Sequence, residues 1–532
     1  MKYLLDDRID SMNLDDALTQ VSAQRREKAL LFKHESNRKE SVAAYQLLCR
    51  LLHEEYGIDA YPSFEETITG KPILPDYPAI HFNLSHTRGV AACVVDQRPV
   101  GIDVERIRPY DEELARYVLD DAEYAELQQS REKDVDFIRL WTMKESLLKL
   151  TGEGIRRDLK SVDLTDTQYR FTTKINRERG YVCTICESNV WRLPAEWEPQ
   201  EAVQLAWPHD ETDWLLCLEE ITVTYLQLTK AIAKREKVVI VTPEPDVVQD
   251  VLVRNLPSEV LPNITLVACP TNDTWSRDHA AITLINGSER RMLDFRFNGW
   301  GEKFPAEFDN AVTHHVFDSG VYDVQYEDNL DFVLEGGSIE CDGRGTILTT
   351  SHCLMAPHRN QPLSQQKIEA ILKQRLHAER VLWLDYGNLV GDDTDGHIDT
   401  LARFAADDVI VYQGCQQADD AQYEDLLSMK QQLSEFRTAD GKPYKLLELP
   451  MPRALFDEEG QRLPATYANF LVVNGAVICP TYADAEADKT AMSVFKEVFP
   501  DREIVPIDAR VIVRQHGSVH CITMQIPEKD NS

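Results

Sequence analysis

The chain has 532 residues, 43% of them hydrophobic, and a formal net charge of −33 at pH 7. This length suits two or more domains. The charge argues against general nucleic-acid or anionic-membrane binding, because both need a positive surface. The N-terminus turns acidic before any apolar core forms, and no apolar run approaches a membrane span. Eleven scattered cysteines argue against a disulfide framework. We therefore expect a protein of the reducing cytoplasm, without nucleic-acid or membrane partners.

The first part of the chain predicts helix over residues 14–55, where apolar residues recur at helical spacing. Strands are predicted at Val90–Val95 and around Val100–Glu105. In the second strand, Asp103 and Glu105 are two residues apart and share a face. Two carboxylates so close repel each other unless a cation neutralises them, and hard oxygen ligands favour Mg²⁺. By itself the pattern fits a metal site or an exposed polar strand equally well.

A further helix is predicted at Phe137–Leu150, where Glu145 and Lys149 lie four residues apart on one face. A surface ion pair would explain this spacing. The functional interpretation instead gives a Mg²⁺ ion a third carboxylate and gives a phosphate a lysine.

Four motifs in this region stand in an order that resembles the surfactin-synthetase type of 4′-phosphopantetheinyl transferase. They are Gly70-Lys71-Pro72, Phe82-Asn-Leu-Ser85-His86, Gly101-Ile-Asp103-Val-Glu105 and Trp141-x-x-Lys144-Glu145-x-x-x-Lys149-x-x-Gly152-x-Gly154. The resemblance implies a pseudo-twofold α+β fold. It also implies transfer of the phosphopantetheine arm of coenzyme A to a serine of an apo acyl or peptidyl carrier protein.

Matching positions imply roles for individual residues. Asp103, Glu105 and Glu145 would hold Mg²⁺, and Glu123 lies near the family's proposed base. The coenzyme A site would comprise Arg38, Lys71, Ser85, His86, Lys144 and Lys149. The chemistry agrees, because a metal ion and several cations would neutralise charge that shifts toward the leaving phosphate.

A domain boundary is expected near residue 190, where the proline-bearing stretch Trp191–Gln200 follows a strand-like segment. No long Gly/Ser linker separates the two parts. We therefore divide the chain into domains at 1–190 and 191–532.

Beyond residue 200, short apolar strands alternate with helical segments, which is an α/β pattern. Strands are predicted at Val238–Val241 and Ile264–Val267, and helices at Tyr225–Lys234 and Leu363–Leu376. A polar stretch, Pro270–His279, follows one of these strands, and strand ends are where α/β folds place chemistry.

Five residues in the polar stretches of this part carry candidate chemistry. His397 and Asp399 are two residues apart and would share a face if the segment is extended, forming a minimal catalytic pair. Cys521 is either a buried small hydrophobe or, with the distant histidine, a candidate nucleophile. Together with Asp399, the carboxylates of Asp278 and Glu335 suggest a cationic substrate, and a planar guanidinium suits paired carboxylates.

This part of the chain resembles the agmatine deiminase family, within the superfamily of arginine deiminase and the Porphyromonas-type peptidylarginine deiminase. The matching motifs are Leu193-Pro-Ala-Glu-Trp-Glu-Pro-Gln, Trp207-Pro-His, Trp275-x-Arg-Asp278, Phe297-Asn-Gly-Trp-Gly, Glu335-Gly-Gly, Asp393-Thr-Asp-Gly-His397-Ile-Asp399, Tyr467-Ala-Asn469-Phe and His520-Cys521. The implied fold is a pentein-like α/β propeller of pseudo-fivefold symmetry.

The resemblance implies that Cys521 attacks the guanidinium carbon while Asp278 and Asp399 grip its nitrogens. His397 would protonate the departing ammonia and then activate water, and Glu335 would support the site. The remaining substrate contacts would come from Trp275, Trp300 and Asn469. Agmatine would give N-carbamoylputrescine and ammonia through a thiouronium intermediate, without a metal or organic cofactor.

The sequence departs from the family pattern at two places. Gln515-His516-Gly517-Ser518 stands where many members have Gly-Gly-Gly-Asn, and Ser338 stands where asparagine is common. Neither position is catalytic, but both could retune the pocket.

The leading hypothesis is a fusion of two enzymes that serves putrescine biosynthesis and carrier-protein priming. One alternative keeps the deiminase but changes the substrate to peptidyl or free arginine. Another makes one domain a binding module without turnover. The sequence leaves open the carrier protein, the coupling of the two activities and the oligomeric state.

Overall fold

A computed structural model describes residues 1–529 except 68, 78–79, 97, 154–157 and 288. Gly154, the last position of the fourth N-terminal motif, therefore lies outside the described residues. The chain divides into two compact units, one of Met1–Val190 and one that begins at Trp191. In the described part of the chain, no helix is long and apolar enough to cross a membrane.

The first unit combines helices with two antiparallel three-stranded sheets, ordered β1-β5-β4 and β6-β8-β7, and a small β2-β3 ladder. Its elements are β1 (Lys2–Asp6), α1 (Leu14–Thr19), α2 (Ala23–Leu30), α3 (Glu35–Tyr56), β2 (Glu65–Glu66), β3 (Pro72–Ile73), β4 (His81–Thr87), β5 (Val90–Asp96), β6 (Val100–Arg106), α4 (Glu112–Val118), α5 (Asp121–Gln129), α6 (Lys133–Thr151), β7 (Tyr169–Asn176) and β8 (Tyr181–Ser188).

The helix predicted over 14–55 is three helices. The side chain of Asn13 accepts hydrogen bonds from the first turn of α1, and Ser22 caps α2 in the same way. Such caps satisfy the free N–H groups at a helix start, so each one begins a new helix. The third helix, α3, ends at Gly57, whose φ of 64° suits glycine.

The predicted strand Val100–Glu105 and helix Phe137–Leu150 are confirmed as β6 and α6. They approach closely at Gly101, where an added Cβ would lie 1.9 Å from the carbonyl oxygen of Ser146. Only glycine permits this approach. It brings the functional face of α6 against Asp103 of β6.

The second unit contains five sheets. Its elements are β9 (Gln200–Ala206), α7 (Leu218–Ala233), β10 (Lys237–Thr242), α8 (Pro245–Asn255), β11 (Ile264–Ala268), α9 (Ser276–His279), β12 (Ile282–Asn286), β13 (Glu289–Arg296), α10 (Gly299–Glu302), α11 (Val312–Asp318), β14 (Gln325–Val333), β15 (Ile339–Cys341), β16 (Thr346–Thr350), α12 (Ser351–Leu354), α13 (Gln365–Arg375), β17 (Arg380–Leu384), β18 (Ala402–Ala406), β19 (Val409–Gln413), α14 (Tyr423–Glu435), β20 (Lys445–Leu449), β21 (Leu471–Val473), β22 (Ala476–Thr481), α15 (Ala485–Val498), β23 (Glu503–Asp508) and β24 (Met524–Pro527).

One strand pairing recurs in all five sheets, which are β24-β9-β10-β11, β12-β13-β14, β15-β16-β17, β18-β19-β20 and β21-β22-β23. In each sheet the first strand pairs antiparallel with the second, and the second pairs parallel with the third. The chain between the parallel strands includes helix, as parallel crossovers require. The predicted strands lie within β10 and β11, and the predicted helices correspond to α7 and α13 with end residues that differ by up to seven positions.

The segment that carries His397 and Asp399 is not a strand. His397 has φ −56° and ψ 136°, and Ile398–Thr400 forms a 3-10 turn. The prediction that an extended segment aligns the two side chains is therefore wrong. Both are buried nonetheless, because the turn packs among the sheets.

Candidate active sites

A cavity of about 360 Å³ in the second unit brings several of the predicted residues together. Cys521, Asp278, Trp275 and Trp300 line it. Its wall also carries five further carboxylates and includes no lysine or arginine; the carboxylates belong to Glu211, Asp213, Asp273, Asp309 and Asp393. The cavity therefore suits a positively charged ligand.

Asp278 lies on α9 beside the cavity. One carboxylate oxygen accepts a hydrogen bond from Trp300 Nε1 at 3.0 Å, and the other accepts one from the backbone N–H of Gly337 at 3.0 Å. His397 Nδ1 lies 3.6 Å from the same carboxylate. Burial raises the pKa of Asp278 to about 6, although the charge of His397 opposes the shift.

His397 is fully buried, and neither ring nitrogen has a hydrogen-bond partner among the described residues. Burial alone lowers its pKa, but the charge of Asp278 and contacts with Cys353 and Glu335 raise it well above the ordinary value. The ring is therefore an imidazolium near neutral pH, which suits a proton donor.

A glycine makes room where these groups meet. A Cβ at position 337 would lie 2.6 Å from His397 Nδ1, 2.7 Å from Asp278 Oδ1 and 3.3 Å from Asp399 Oδ2. The side chains of His397, Asp278 and Asp399 therefore converge on one point, although His397 and Asp399 are only two positions apart in a turn. Any larger residue would push them apart.

The nucleophile candidate Cys521 is 5% exposed. Its Sγ lies 3.8 Å from Asp399 Oδ2, and its backbone N–H donates to Asn469 Oδ1 at 3.2 Å. Asn469 Nδ2 in turn donates to Asp399 Oδ2 at 3.1 Å. Burial, followed by the charges of Asp399 and Asp278, raises the pKa of the Cys521 thiol well above its ordinary value. The free site therefore holds a thiol, and a bound cation would favour the thiolate.

Glu335 is fully buried and forms a bidentate pair with Arg359, whose Nε lies 3.0 and 3.2 Å from its two oxygens. Arg359 also donates to Asp395 and to the carbonyl oxygen of Thr394, just before His397. Glu335 thus supports the segment that carries His397.

The two tryptophans pack edge to face, with ring centroids 6.3 Å apart. Trp300 has φ 55°, and two other non-glycine residues near the cavity, Asp395 and His516, also have positive φ. Such conformations are costly for residues with a side chain and cluster at functional sites. The absence of a side chain at Gly517 leaves room for Trp275, because an added Cβ would lie 2.0 Å from the indole ring.

The departures from the family pattern fall in different places. Gln515, His516 and Gly517 line the cavity. Ser518 bonds to the hydroxyl of Tyr482 at 2.9 Å, and Ser338 donates to the carbonyl oxygen of Glu335 at 2.6 Å. Only the first group is therefore in a position to affect ligand choice directly.

Four charged residues behind Cys521 had no role in the sequence analysis. His520, Glu196, Arg277 and Arg403 are all buried and form one network. The first three stand inside or beside the quoted motifs, which is a signal that sequence reasoning could have used. Arg403 lies in an apolar strand and carried no such signal.

In the first unit, Asp103 is the centre of a second candidate site. Its Oδ1 accepts hydrogen bonds from Ser85 Oγ at 2.9 Å and from Lys149 Nζ at 2.7 Å. Its Oδ2 is buried and has no hydrogen-bond partner among the described residues. An unpaired buried carboxylate oxygen is costly, and a metal ion would satisfy it.

Burial, followed by the charge of Asp103, raises the pKa of both Glu105 and Glu145. Three carboxylates thus influence one another, as a cation site requires. In the described residues, the ligand atoms of these three carboxylates do not all lie within 4.8 Å of one another. Metal binding would need small side-chain movements. Lys149 pairs with Asp103, not with Glu145 as the helix spacing suggested.

Lys144 does not contact a coenzyme A site. Its ammonium is fully buried and donates to Glu123 at 2.8 Å and to the carbonyl oxygens of Leu159 and Val162 at 2.9 and 3.0 Å. An ammonium has three donors, and all three are used. The predicted cofactor-binding role of Lys144 is therefore wrong, and Glu123 lies against this lysine instead of an open site.

The other predicted coenzyme A residues lie nearer the surface. Lys71 donates to the carbonyl oxygen of Leu150 at 2.7 Å, and Arg38 donates to that of Phe32 at 2.8 Å. A cavity of about 280 Å³ is lined by Phe32 and by three basic residues, which are His86, Arg25 and Lys28. This basic cavity suits a phosphate-bearing ligand.

Comparison with known proteins agrees with this geometry. Residues 192–527 match the family model for Porphyromonas-type peptidyl-arginine deiminase, and residues 99–197 match that for the 4′-phosphopantetheinyl transferase superfamily. A Marinomonas sp. protein named as a candidate agmatine deiminase is 34% identical, over 64% of this chain and 95% of its own length.

Solved structures give the same picture. A Porphyromonas gingivalis protein described as a candidate arginine deiminase is 48% identical, with a TM-score of 0.60 over 64% of this chain and 99% of the other. The C. jejuni agmatine deiminase, solved with substrate bound, is 37% identical, with a TM-score of 0.58 over 63% and 96%. The second unit therefore has the fold of these deiminases. The chain belongs to the Porphyromonas-type peptidyl-arginine deiminase family, and it also contains a domain of the 4′-phosphopantetheinyl transferase superfamily.

Proposed function

We propose that the second unit hydrolyses agmatine to N-carbamoylputrescine and ammonia. The observation that carries this proposal is the convergence of Cys521, His397, Asp278 and Asp399 beside an acidic cavity whose described wall has no lysine or arginine. This combination supplies a nucleophile, an acid and two carboxylates for a guanidinium.

The charge of the bound guanidinium offsets the carboxylates that raise the pKa of Cys521, so the thiol loses its proton to solvent. The sulfur then forms a bond to the guanidinium carbon. Protonated His397 gives its proton to one amino group, and the C–N bond breaks to release ammonia. Neutral His397 then takes one proton from water, whose oxygen bonds to the same carbon. The C–S bond breaks, and the proton that remains on that oxygen passes to the sulfur, which leaves the ureido product and the free thiol.

Agmatine is favoured over free arginine by the charge of the cavity. Agmatine carries an ammonium at its far end, which the carboxylates at the cavity wall attract. Free arginine would bring an α-carboxylate into the same region, where the described wall has no lysine or arginine to pair with it. The relatives named as agmatine deiminases support this choice. The indoles of Trp275 and Trp300 would contact the aliphatic chain, and Asn469 holds the nucleophile segment.

The deciding experiment is mass spectrometry of agmatine, free arginine and an arginyl peptide, each incubated with the full chain and with Cys521→Ala. Conversion of agmatine with a gain of about one mass unit, as expected when oxygen replaces N–H, and loss of this conversion in the variant would support the proposal. Conversion of a peptide alone would move the substrate to peptidyl arginine. A wild-type protein inactive on every guanidine would refute the deiminase function.

For the first unit we propose transfer of phosphopantetheine from coenzyme A to an apo carrier protein. The buried, unpartnered Oδ2 of Asp103 and the raised pKa values of Glu105 and Glu145 support a bound Mg²⁺ at these residues. A Mg²⁺ ion there would neutralise pyrophosphate charge. Lys149, Ser85 and His86, with Lys71 and Arg38, would bind the phosphates. Glu123 as the base is the less supported part, since it pairs with Lys144.

A transfer assay tests this second activity. An apo carrier protein incubated with coenzyme A and Mg²⁺ should gain the phosphopantetheine mass, and Asp103→Asn should abolish the gain. If the wild-type chain binds coenzyme A but modifies no carrier protein, the unit is a binding module.

The domain bounds, the symmetry of each fold and the cellular location complete the proposal. We propose domains at 1–190 and 191–532, the first of pseudo-twofold α+β form and the second a pseudo-fivefold propeller built from the five similar sheets. A cytoplasmic location, where apo carrier proteins and coenzyme A are available, suits the eleven free cysteines.

A further inference from the structure

His520 precedes Cys521 and is 1% exposed. Its Nδ1 lies 2.7 Å from Asp399 Oδ2, and its Nε2 lies 2.7 Å from Glu196 Oε2. A neutral imidazole has one N–H donor and one lone pair. If the ring is neutral, one of these two contacts places a nitrogen lone pair against a carboxylate lone pair at hydrogen-bond distance. The geometry therefore needs either two protons on the ring or a proton on one flanking carboxyl group.

The ionisable groups packed around the ring carry one more negative charge than positive. The buried carboxylates are Glu196, Glu340 and Asp399, and the buried guanidiniums are Arg277 and Arg403. Arg403 pairs with Glu340 and lies 2.7 Å from Glu196, while Arg277 lies 3.8 Å from Glu196. Three negative groups thus face two positive ones. A protonated His520 makes the network neutral, and a buried network with net charge is costly.

The flanking carboxyl groups hold their negative charge. Against the effect of burial, Arg403 and His520 lower the pKa of Glu196, and His520 lowers that of Asp399. Burial and the charges of Arg277 and Arg403 lower the pKa of His520, against the opposing effects of Glu196 and Asp399. Burial raises the pKa of Glu340 to about 7, so His520 and Glu340 compete for one further proton. With Glu196 and Asp399 both ionised, only the imidazolium satisfies both 2.7 Å contacts.

We propose that His520 is held as an imidazolium that orients Asp399 toward the guanidinium, a positioning role that rests on the deiminase function proposed above. His520 and Asn469 both bind Oδ2 of Asp399. Its Oδ1 is buried without a hydrogen-bond partner in the described part of the chain and is left for a substrate N–H. Asn469 Oδ1 also accepts the backbone N–H groups of His520 and Cys521. One unit therefore fixes both the carboxylate and the nucleophile.

The direct test is nuclear magnetic resonance of the full chain labelled with ¹⁵N-histidine, without substrate, near neutral pH. We expect the ring nitrogens of His520 to have two similar, protonated-type shifts. One protonated and one lone-pair nitrogen would overturn the proposal. Comparison with His520→Asn assigns the signals. In Glu196→Gln the amide can donate to Nε2, so the ring should lose its second proton, and this change provides an independent assignment.

A matched pair of variants tests the effect on turnover. The side-chain amide of Asn at position 520 reaches the position of Nδ1 and can still donate to Asp399. The amide of Gln reaches the position of Nε2 instead and can donate to Glu196. We expect His520→Gln to lose on the order of 100-fold in kcat/KM, as removed supporting hydrogen bonds do. His520→Asn should lose on the order of tenfold or less.

The pH profile separates positioning from packing. In the wild type, kcat/KM should fall as the pH rises through the pKa of His520, because the neutral ring keeps one N–H for two carboxylates and the network that orients Asp399 loses a hydrogen bond. His520→Asn should lack this alkaline step. Equal losses in Asn and Gln variants with unchanged pH profiles would refute the positioning role. The resonance experiment needs no turnover, so its failure is distinguishable from failure of the deiminase function.

Discussion

The two candidate sites differ in where their positive charge comes from. In the deiminase unit, buried carboxylates have partners from the chain itself: Glu335 pairs with Arg359, Asp399 with His520, and Glu196 with Arg403. In the transferase unit, Asp103 pairs with Lys149, but no described cation forms an ion pair with Glu105 or Glu145. These three carboxylates of the deiminase unit are paired before a ligand arrives, whereas Glu105 and Glu145 of the transferase unit are not. The transferase site is therefore the one whose carboxylates would call for a metal ion.

The largest expected effect is that of metal removal. Chelation should abolish carrier-protein modification and leave deimination of agmatine unchanged, because only the transferase site has carboxylates that would require a dication. Parallel assays on one chelated sample measure both activities. Mg²⁺ should restore the transferase. Loss of deimination on chelation would break the comparison.

Gly337→Ala should lower kcat/KM for agmatine by on the order of 10²-fold or more, because its Cβ would displace His397 and Asp278. Steady-state kinetics measure the loss. Gly475→Ala is the control, since no atom lies within 4 Å of its added Cβ, although its φ of 71° strains an alanine backbone and the φ of Gly337 does not lie in that region. Comparable losses in both variants would mean that the three groups do not need this close approach.

The two lysines of α6 should respond in opposite ways. Lys149→Met should reduce transferase activity by on the order of 10²-fold, because Lys149 lies beside Asp103. It should lower the melting temperature less than Lys144→Met does, because Lys149 is partly exposed whereas Lys144 is fully buried. Lys144→Met should instead cost about 3 kcal/mol of stability, because it leaves Glu123 and two carbonyl groups without their buried donor.

Calorimetry and the transfer assay, run on both lysine variants, separate these effects. A stable but inactive Lys144→Met would mean that Lys144 does contact coenzyme A. A fully active Lys149→Met would mean that Lys149 does not.

The smallest expected effect is a shift in pH dependence. Asp278 must be ionised to bind the guanidinium, and its pKa of about 6 places the loss of kcat/KM as the pH falls through that value. Trp300→Phe removes an N–H that stabilises the ionised form. The acid limb should therefore move to higher pH, by about one unit or less. Profiles of kcat/KM for the wild type, Trp300→Phe and the control Trp275→Phe measure this shift. An unmoved limb in Trp300→Phe would mean that Asp278 does not control it.

Local patterns predicted much of the fold. The apolar runs of β10 and β11 and the helical spacing of α6 and α13 are properties of neighbouring residues, so they are visible in the chain. The continuous helix over 14–55 was wrong, because the capping effect of Asn13 and Ser22 was not weighed against the helical spacing. The recurring strand pairing of the second unit was not visible, because hydrogen-bond partners are distant in sequence.

The sequence by itself determined the two families, the order of their motifs and the identity of the groups that carry chemistry, because these depend on residue type and spacing. Tertiary structure alone decided which charges are compensated. Lys144 and Lys149 belong to one helix and one motif, yet the first is buried against Glu123 and the second against Asp103. His520 meets Glu196 across 324 positions of chain. The energy of a buried charge depends on its neighbours in space, and those neighbours are fixed only when the sheets pack.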